Sequence, residues 1–169
     1  MKSETAAAQL RYQGQAITTL AAGLTEDESR IKPDPENWSI LEVLNHLVDE
    51  EVLDFRRHLS HILFTPEQPW PQIDPEAWVT EKQYNQSRLA ETLQKFKSER
   101  EKSTAWLLGL STPDWNASVS MPWGTLSAGD MLASWLAHDL LHLRQIITLR
   151  YQLTSNQCQP YDITYAGKW

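Results

Sequence analysis

Ala137-His138-Asp139-Leu140-Leu141-His142-Leu143-Arg144-Gln145-Ile146 is the stretch on which the reading turns. It lies in a longer apolar run that includes Met131, Leu132, Trp135, Leu136, Ile147 and Leu149. These residues fall on nearly every side of a 3.6-residue period, and a helix apolar all round belongs in the middle of a protein. Residues four apart on a helix stand one above the other, with Cβ atoms about 5–6 Å apart. His138 and His142 therefore point the same way. Burying an unpaired polar group costs roughly 1–3 kcal/mol, and a shared metal ion would satisfy both rings at once. Spacing alone suits a metal site and a structural pair equally. It is not the metalloprotease pattern, which needs a glutamate directly after the first histidine; Asp139 stands there instead.

A stable divalent site wants a third ligand or more. The best candidate lies far upstream, in Trp38-Ser39-Ile40-Leu41-Glu42-Val43-Leu44-Asn45-His46-Leu47. Ser39 followed three residues later by Glu42 is a capping box, and Trp38 before it can staple to Val43. The helix so started is expected over 39–64, with Leu41, Leu44, Val48 and Phe55 on its apolar side and Leu47 and Leu59 widening it. The chain is read as folding to bring His46 opposite His138 and His142, the three metal-ligand candidates. Asp49 and Glu50 follow His46 at i+3 and i+4 and approach its face. They read either as participants (a fourth ligand, an acceptor behind an imidazole, a proton acceptor for a metal-held water) or as surface acids beside Arg56 and Arg57. Asp139 diverges from its neighbour His138 by about 100° and is not taken as a ligand. Gln145, three after His142, reaches toward the pocket. His58 and His61, about three turns beyond His46, read as surface residues. Trp38, Trp123 and Trp135 are candidates for the pocket mouth, with core packing the equal alternative. No residue is singled out as catalytic.

The rest of the chain supplies two more helices. Ser3 to Leu24 carries Leu10, Ile17, Leu20, Ala21 and Leu24 near one face, with Gly14 weakening it locally. Residues 25–37 hold charges, Pro33 and Pro35, and read as a connection. Residues 65–79 contain Pro66, Pro69, Pro71 and Pro75 and are read as non-helical. Some 15 extended residues can span about 45 Å, against about 39 Å for a helix over 39–64. That linker can run back along the whole molecule and leave helices 2 and 3 parallel. The third helix is expected over 80–110, with its charged middle, Lys95 to Lys102, solvated. Val119-Ser120-Met121 and Gly124-Thr125-Leu126 can pair as a short hairpin. Ser127 with Asp130 opens the fourth helix, over 127–153, with 154–169 as a tail over the bundle. The fold expected is all-α: one domain over 1–169, a four-helix bundle, up-down-down-up, with a long crossover between helices 2 and 3.

Bulk properties narrow the function. The formal net charge is −7, and an acidic chain without a basic block is a poor match for nucleic acid. A single cysteine, Cys158, excludes an internal disulfide and any cysteine-rich metal site and suits a reducing compartment. No apolar run nears the roughly 20 residues of a membrane helix, and the start has no apolar core like a signal peptide. The expectation is a soluble, cytoplasmic protein. Eight tryptophans hint at an aromatic-lined cavity or interface, with core filling as the plain alternative.

The segment from Trp38 to Glu50 resembles the first signature of the DinB/YfiT-like superfamily, and the segment from Ala137 to Ile146 resembles its second. With the helix layout the likeness reaches to about Leu153. The resemblance implies a four-helix bundle with this crossover, and three histidine metal ligands matching His46, His138 and His142. It implies a divalent ion such as zinc or nickel, although imidazole also accepts iron(II) and manganese. It also implies a small-molecule substrate and the activities of characterised relatives, metal-dependent transferases and isomerases using low-molecular-weight thiols such as bacillithiol or mycothiol. The open positions on a three-imidazole ion suit either thiol transfer or hydrolysis. Homodimers are common in the family. The other readings are a bundle that binds metal or ligand without turnover, and a structural bundle that binds neither.

Overall fold

The computed structural model describes residues 2–167 and 169. The chain runs α1 (Ser3–Ala21), α2 (Glu26–Arg30), α3 (Ile40–Asp49), a π-helical turn (Glu50–Phe55), α4 (Arg56–Phe64), α5 (Pro75–Glu81), α6 (Leu89–Gly109), the hairpin β1 (Ser118–Met121) and β2 (Gly124–Ser127), and α7 (Ala128–Gln157). The segment from α3 through the π turn to α4 is one continuous rod, the expected second helix. Ser39 and Glu42 form the capping box at its start, as Ser127 and Asp130 do for α7. The hairpin pairs Val119 with Leu126 and Met121 with Gly124, as read from the sequence. No helix among the described residues is long and apolar enough to cross a membrane.

Two apolar clusters give the helix directions. Ala6 and Leu10 of α1 pack with Phe55, Leu59 and Ile62 of the rod, Leu107 of α6, and Leu132 and Trp135 of α7. At the other end Ile17 and Ala21 pack with Leu41, Leu44 and Leu47, Phe96 and Leu89, and Ile146 and Leu149. Thus α1 and α7 are parallel, the rod and α6 are parallel, and the two pairs run oppositely: up-down-down-up.

The crossover runs back along the rod, as its length predicted. Trp70 stacks on His58, and Pro71 accepts a hydrogen bond from the same ring. Lys82 and Tyr84 then reach Asp49, the Tyr84 carbonyl meets Asn45, and Asn85 meets Ser39. Rising numbers in the crossover meet falling numbers in the rod. Three expectations change here. The linker is helical at its end, because Pro75 stands at the first helical position with Asp74 capping the Ala77 N–H, so α5 begins inside 65–79. The third helix starts at Leu89, not at residue 80, because the chain first makes α5, turns at Gln83 in a left-handed backbone (φ 51°) and buries Tyr84. His58 and His61 are buried (1% and 6% exposed), not surface residues, because Trp70 covers both rings.

The other ends shift less. Helix α1 stops at Ala21, short of Leu24, before Gly23 (φ 81°) and the capping box of α2, Thr25 with Glu28. Helix α7 continues past residue 153 to Gln157, whose amide donates to Glu28. That helix is not covered on every side. Leu140 and Leu141 are 56% and 55% exposed, since α7 packs on α1 and the rod and leaves its third side open. In the tail, Tyr161 and Tyr165 are exposed, while Trp169 stacks on Tyr151.

Candidate metal centre

Between the two apolar clusters lies a polar layer, and every long helix contributes to it. Helix α1 supplies Gly14, the rod His46, Glu50 and Glu51, α6 Arg100, and α7 His138, Asp139 and His142. A regular helix turns about 100° between neighbours, so Glu50 and Glu51 would not both face inward. They begin the π-helical turn, a feature that recurs at functional sites, and both are buried.

Glu51 faces Arg100. The guanidinium holds Glu51 at 2.7 Å and Asp139 through two nitrogens, donates to the Leu10 carbonyl at 2.7 Å, and is 5% exposed. The Trp135 indole donates to Glu51 at 3.2 Å. Burial alone would lower the Arg100 pKa, but Glu51 and Asp139 more than offset it and hold it above the usual arginine value. The charged stretch of the third helix is therefore not wholly solvated. Gly14 allows this: a Cβ there would stand 3.2 Å from Arg100 Cγ. Asp139 faces this arginine, away from the histidines, as its angular offset from His138 implied.

On the other side of the layer the three sequence-predicted histidines meet. One ligand atom from each of His46, His138 and His142 lies within 4.8 Å of the others. The Nε2 atoms of His138 and His142 are 3.1 Å apart. Two nitrogens bound tetrahedrally at ~2.0–2.1 Å would stand about 3.3 Å apart, so the pair fits one ion. Gln145 Oε1 lies 2.8 Å from His142 Nδ1; a proton on Nδ1 leaves Nε2 with its lone pair toward the cluster. The His46 ring lies 4.9 Å from Trp38, and His138 lies 4.9 Å from Phe55. Burial, with His142 and His138 adding, pushes His46 down to about 3. Burial and His142 push His138 down to about 3 as well, and burial lowers His142. All three rings are neutral at pH 7, the state that binds metal. His46 Nδ1 is buried without a hydrogen-bond partner, a cost that a metal ion at the cluster would offset. The donor set fits a divalent metal ion.

Glu50 and Asp49 separate. Glu50 is buried, with Oε1 3.8 Å from His46 Nδ1 and Oε2 4.0 Å from His138 Nε2. Its Oε1 has no hydrogen-bond partner. Burial, then Asp54, push its pKa up to about 9. Asp49 turns outward to Lys82 and Tyr84 and secures the crossover. Of the three tryptophans, Trp38 reaches the site, Trp135 is core, and Trp123 is exposed on the hairpin. A cavity of about 510 Å³ opens beside His142, lined by Trp38, Leu141, Arg144, Gln145 and Gln152 among others. A second, of about 450 Å³, adjoins it across Trp38, His142 and Gln145. A separate cavity of about 290 Å³ lies over Gly14 and Arg100 and is lined by no imidazole.

The sequence reading missed the Arg100–Glu51–Asp139 triad. Its signal was present: Arg100 stands four after buried Phe96 and seven before buried Leu107, on the inward face.

Comparison with known proteins agrees with this geometry. The family model of the DinB superfamily matches residues 9–146. Among solved structures, YfiT from Bacillus subtilis, described as a probable metal-dependent hydrolase with an unusual four-helix bundle topology, superposes with a TM-score of 0.77. Its sequence identity is 16%, over 90% of this chain and 87% of that one. No curated protein matches.

Proposed function

The chain belongs to the DinB superfamily, and from that premise we propose that it is a metal-dependent hydrolase of small molecules, holding one zinc or nickel ion on His46, His138 and His142. The observation that carries the proposal is the buried meeting of three neutral imidazoles, one with a ring nitrogen that no protein group satisfies. The description of YfiT as a probable metal-dependent hydrolase adds support.

A bound divalent ion supplies Lewis acidity, lowering the pKa of a nucleophile held against it and polarising a substrate oxygen. The protein's own part is positional. Three imidazoles leave a fourth position open. Gln145 fixes the tautomer of His142. Trp38 and Phe55 flank the rings and keep bulk water out. Burial keeps Glu50 protonated in the metal-free protein. Its carboxylate, favoured by a divalent ion on the neighbouring histidines, has an Oε1 free of hydrogen-bond partners, which accepts a proton from an attacking water and returns it to the leaving group. Substrate enters by the cavity beside His142.

Thiol transfer is the second reading, with a low-molecular-weight thiol as the nucleophile. Glu50 favours water, because a thiol on a metal ion loses its proton outright and needs no buried carboxylate to take it.

Protein prepared without a histidine tag tests this. Hydrolysis of a panel of small esters, amides and lactones is followed before and after chelation and after reloading with zinc or nickel. Activity should vanish with the metal and return with it. Glu50→Gln should keep the metal and lose about 10²–10⁴-fold in kcat. Hydrolysis that survives chelation refutes the proposal, and turnover that appears only with added thiol selects the second reading.

A further inference from the structure

The cavity beside His142 follows α7 from His142 to Gln152, ten residues, or about 15 Å at ~1.5 Å per residue. Most of its wall is uncharged: Asn37, Trp38, Leu141, Gln145, Thr148 and Gln152. Two ionised groups line it, Asp34 and Arg144. Asp34 is already used. Its Oδ1 accepts from the backbone N–H groups of Glu36 and Asn37 at 2.9 and 3.1 Å, and its Oδ2 from the Asn37 amide. Arg144 is not. Arg144 has no ion-pair partner among the described residues; the same holds for Arg11, Arg57 and Arg150, but of these four only Arg144 lines this cavity. It stands two residues from His142, on the same cavity wall.

We infer that the molecule acted on at the metal centre carries a carboxylate, which Arg144 binds while the reacting end reaches the histidines. This rests on the metal centre proposed above. A planar guanidinium matches a carboxylate with two parallel hydrogen bonds. A doubly charged phosphoryl group suits the site less well, because Glu36 and Glu76 line the adjoining cavity and would repel it. Arg144 is thus a specificity residue for the substrate's carboxylate and takes no part in the chemistry.

The test uses cobalt-loaded full-length protein and monohydroxamates of the straight dicarboxylic acids from succinic to suberic, with alkyl hydroxamates of equal length as neutral partners. The hydroxamate anchors at the metal, and binding is read from the cobalt visible bands. At the best chain length the acid should bind about tenfold or more tighter than its neutral partner, the size expected for a charged hydrogen bond. In Arg144→Gln the two should fall within about twofold of each other, with neutral binding unchanged, and Arg144→Lys should keep part of the preference. Equal binding of acid and neutral hydroxamates by the wild type at every length overturns the inference while leaving the metal centre standing. A preference that survives Arg144→Gln, or a phosphonate analogue bound more tightly than the carboxylate, also overturns it. Failure to take up cobalt, or bands that no hydroxamate moves, overturns the metal centre and the inference with it.

Discussion

Replacing Arg100 with leucine should be among the most damaging single changes in the protein. Glu51 and Asp139, each 1% exposed, share this one guanidinium, and its loss would leave two buried carboxylates without a cation. Removing one partner of a buried ion pair costs about 3–5 kcal/mol. For a domain of this size 1 kcal/mol moves Tm by about 2–4 °C, so Arg100→Leu should lower Tm by about 6–20 °C. The loss should depend on pH. Burial already holds the Glu51 carboxyl above its unfolded pKa, and losing Arg100, which lowers it, leaves it higher still. A raised acid is at no disadvantage below its unfolded pKa and loses stability as pH rises toward its folded value. The gap between wild type and variant should therefore be wider at pH 8 than at pH 5, measured by urea unfolding with tryptophan fluorescence. The triple variant Glu51→Leu, Arg100→Met, Asp139→Leu removes all three charges and should recover most of the loss. A gap below about 1 kcal/mol, or one that does not change between pH 5 and pH 8, would refute the reasoning.

Glu50 carries a similar cost in the metal-free protein, because its pKa is pushed up to about 9. Glu50→Gln should stabilise the metal-free protein at pH 8 and leave it unchanged near pH 4.5, by the same sign; denaturant titration at the two pH values checks this. Gly14→Ala should destabilise by about 1–2 kcal/mol, since crowding of a packed site outweighs a helix-propensity gain of about 1 kcal/mol, and its Cβ would meet Arg100 Cγ at 3.2 Å. Thermal unfolding reads the sign, and a raised Tm would show that Arg100 has room to move. His58→Ala should cost about 2–3 kcal/mol, because the Asp54 carboxylate at 2.6 Å and the Pro71 carbonyl at 2.8 Å lose their partner. It should also open residues 65–74 to limited proteolysis.

What the sequence disclosed followed from local signals. Ser39 with Glu42 and Ser127 with Asp130 mark helix starts through hydrogen bonds made within four residues. His138 and His142 share a face because of helix geometry alone. The crossover was legible as a length that only a return path needs. What stayed hidden depends on distant partners. Residues 80–88 hold no proline or glycine, so nothing local forecasts the turn at Gln83; the burial of Tyr84 against Asp49 imposes it. His58 looks like a surface histidine until Trp70, twelve residues on, folds over it. The inward turn of both Glu50 and Glu51 needs a π-helical register that no residue in the stretch announces. Arg100 was the legible exception, a charge on an apolar stripe that stood out in spacing but was grouped with its charged neighbours.

X-ray absorption on stoichiometrically zinc-loaded, untagged protein tests the central claim most directly. The wild type should show three imidazole nitrogens at ~2.0–2.1 Å, and His46→Ala should show two. Identical zinc environments in the two proteins would contradict a centre shared by His46, His138 and His142.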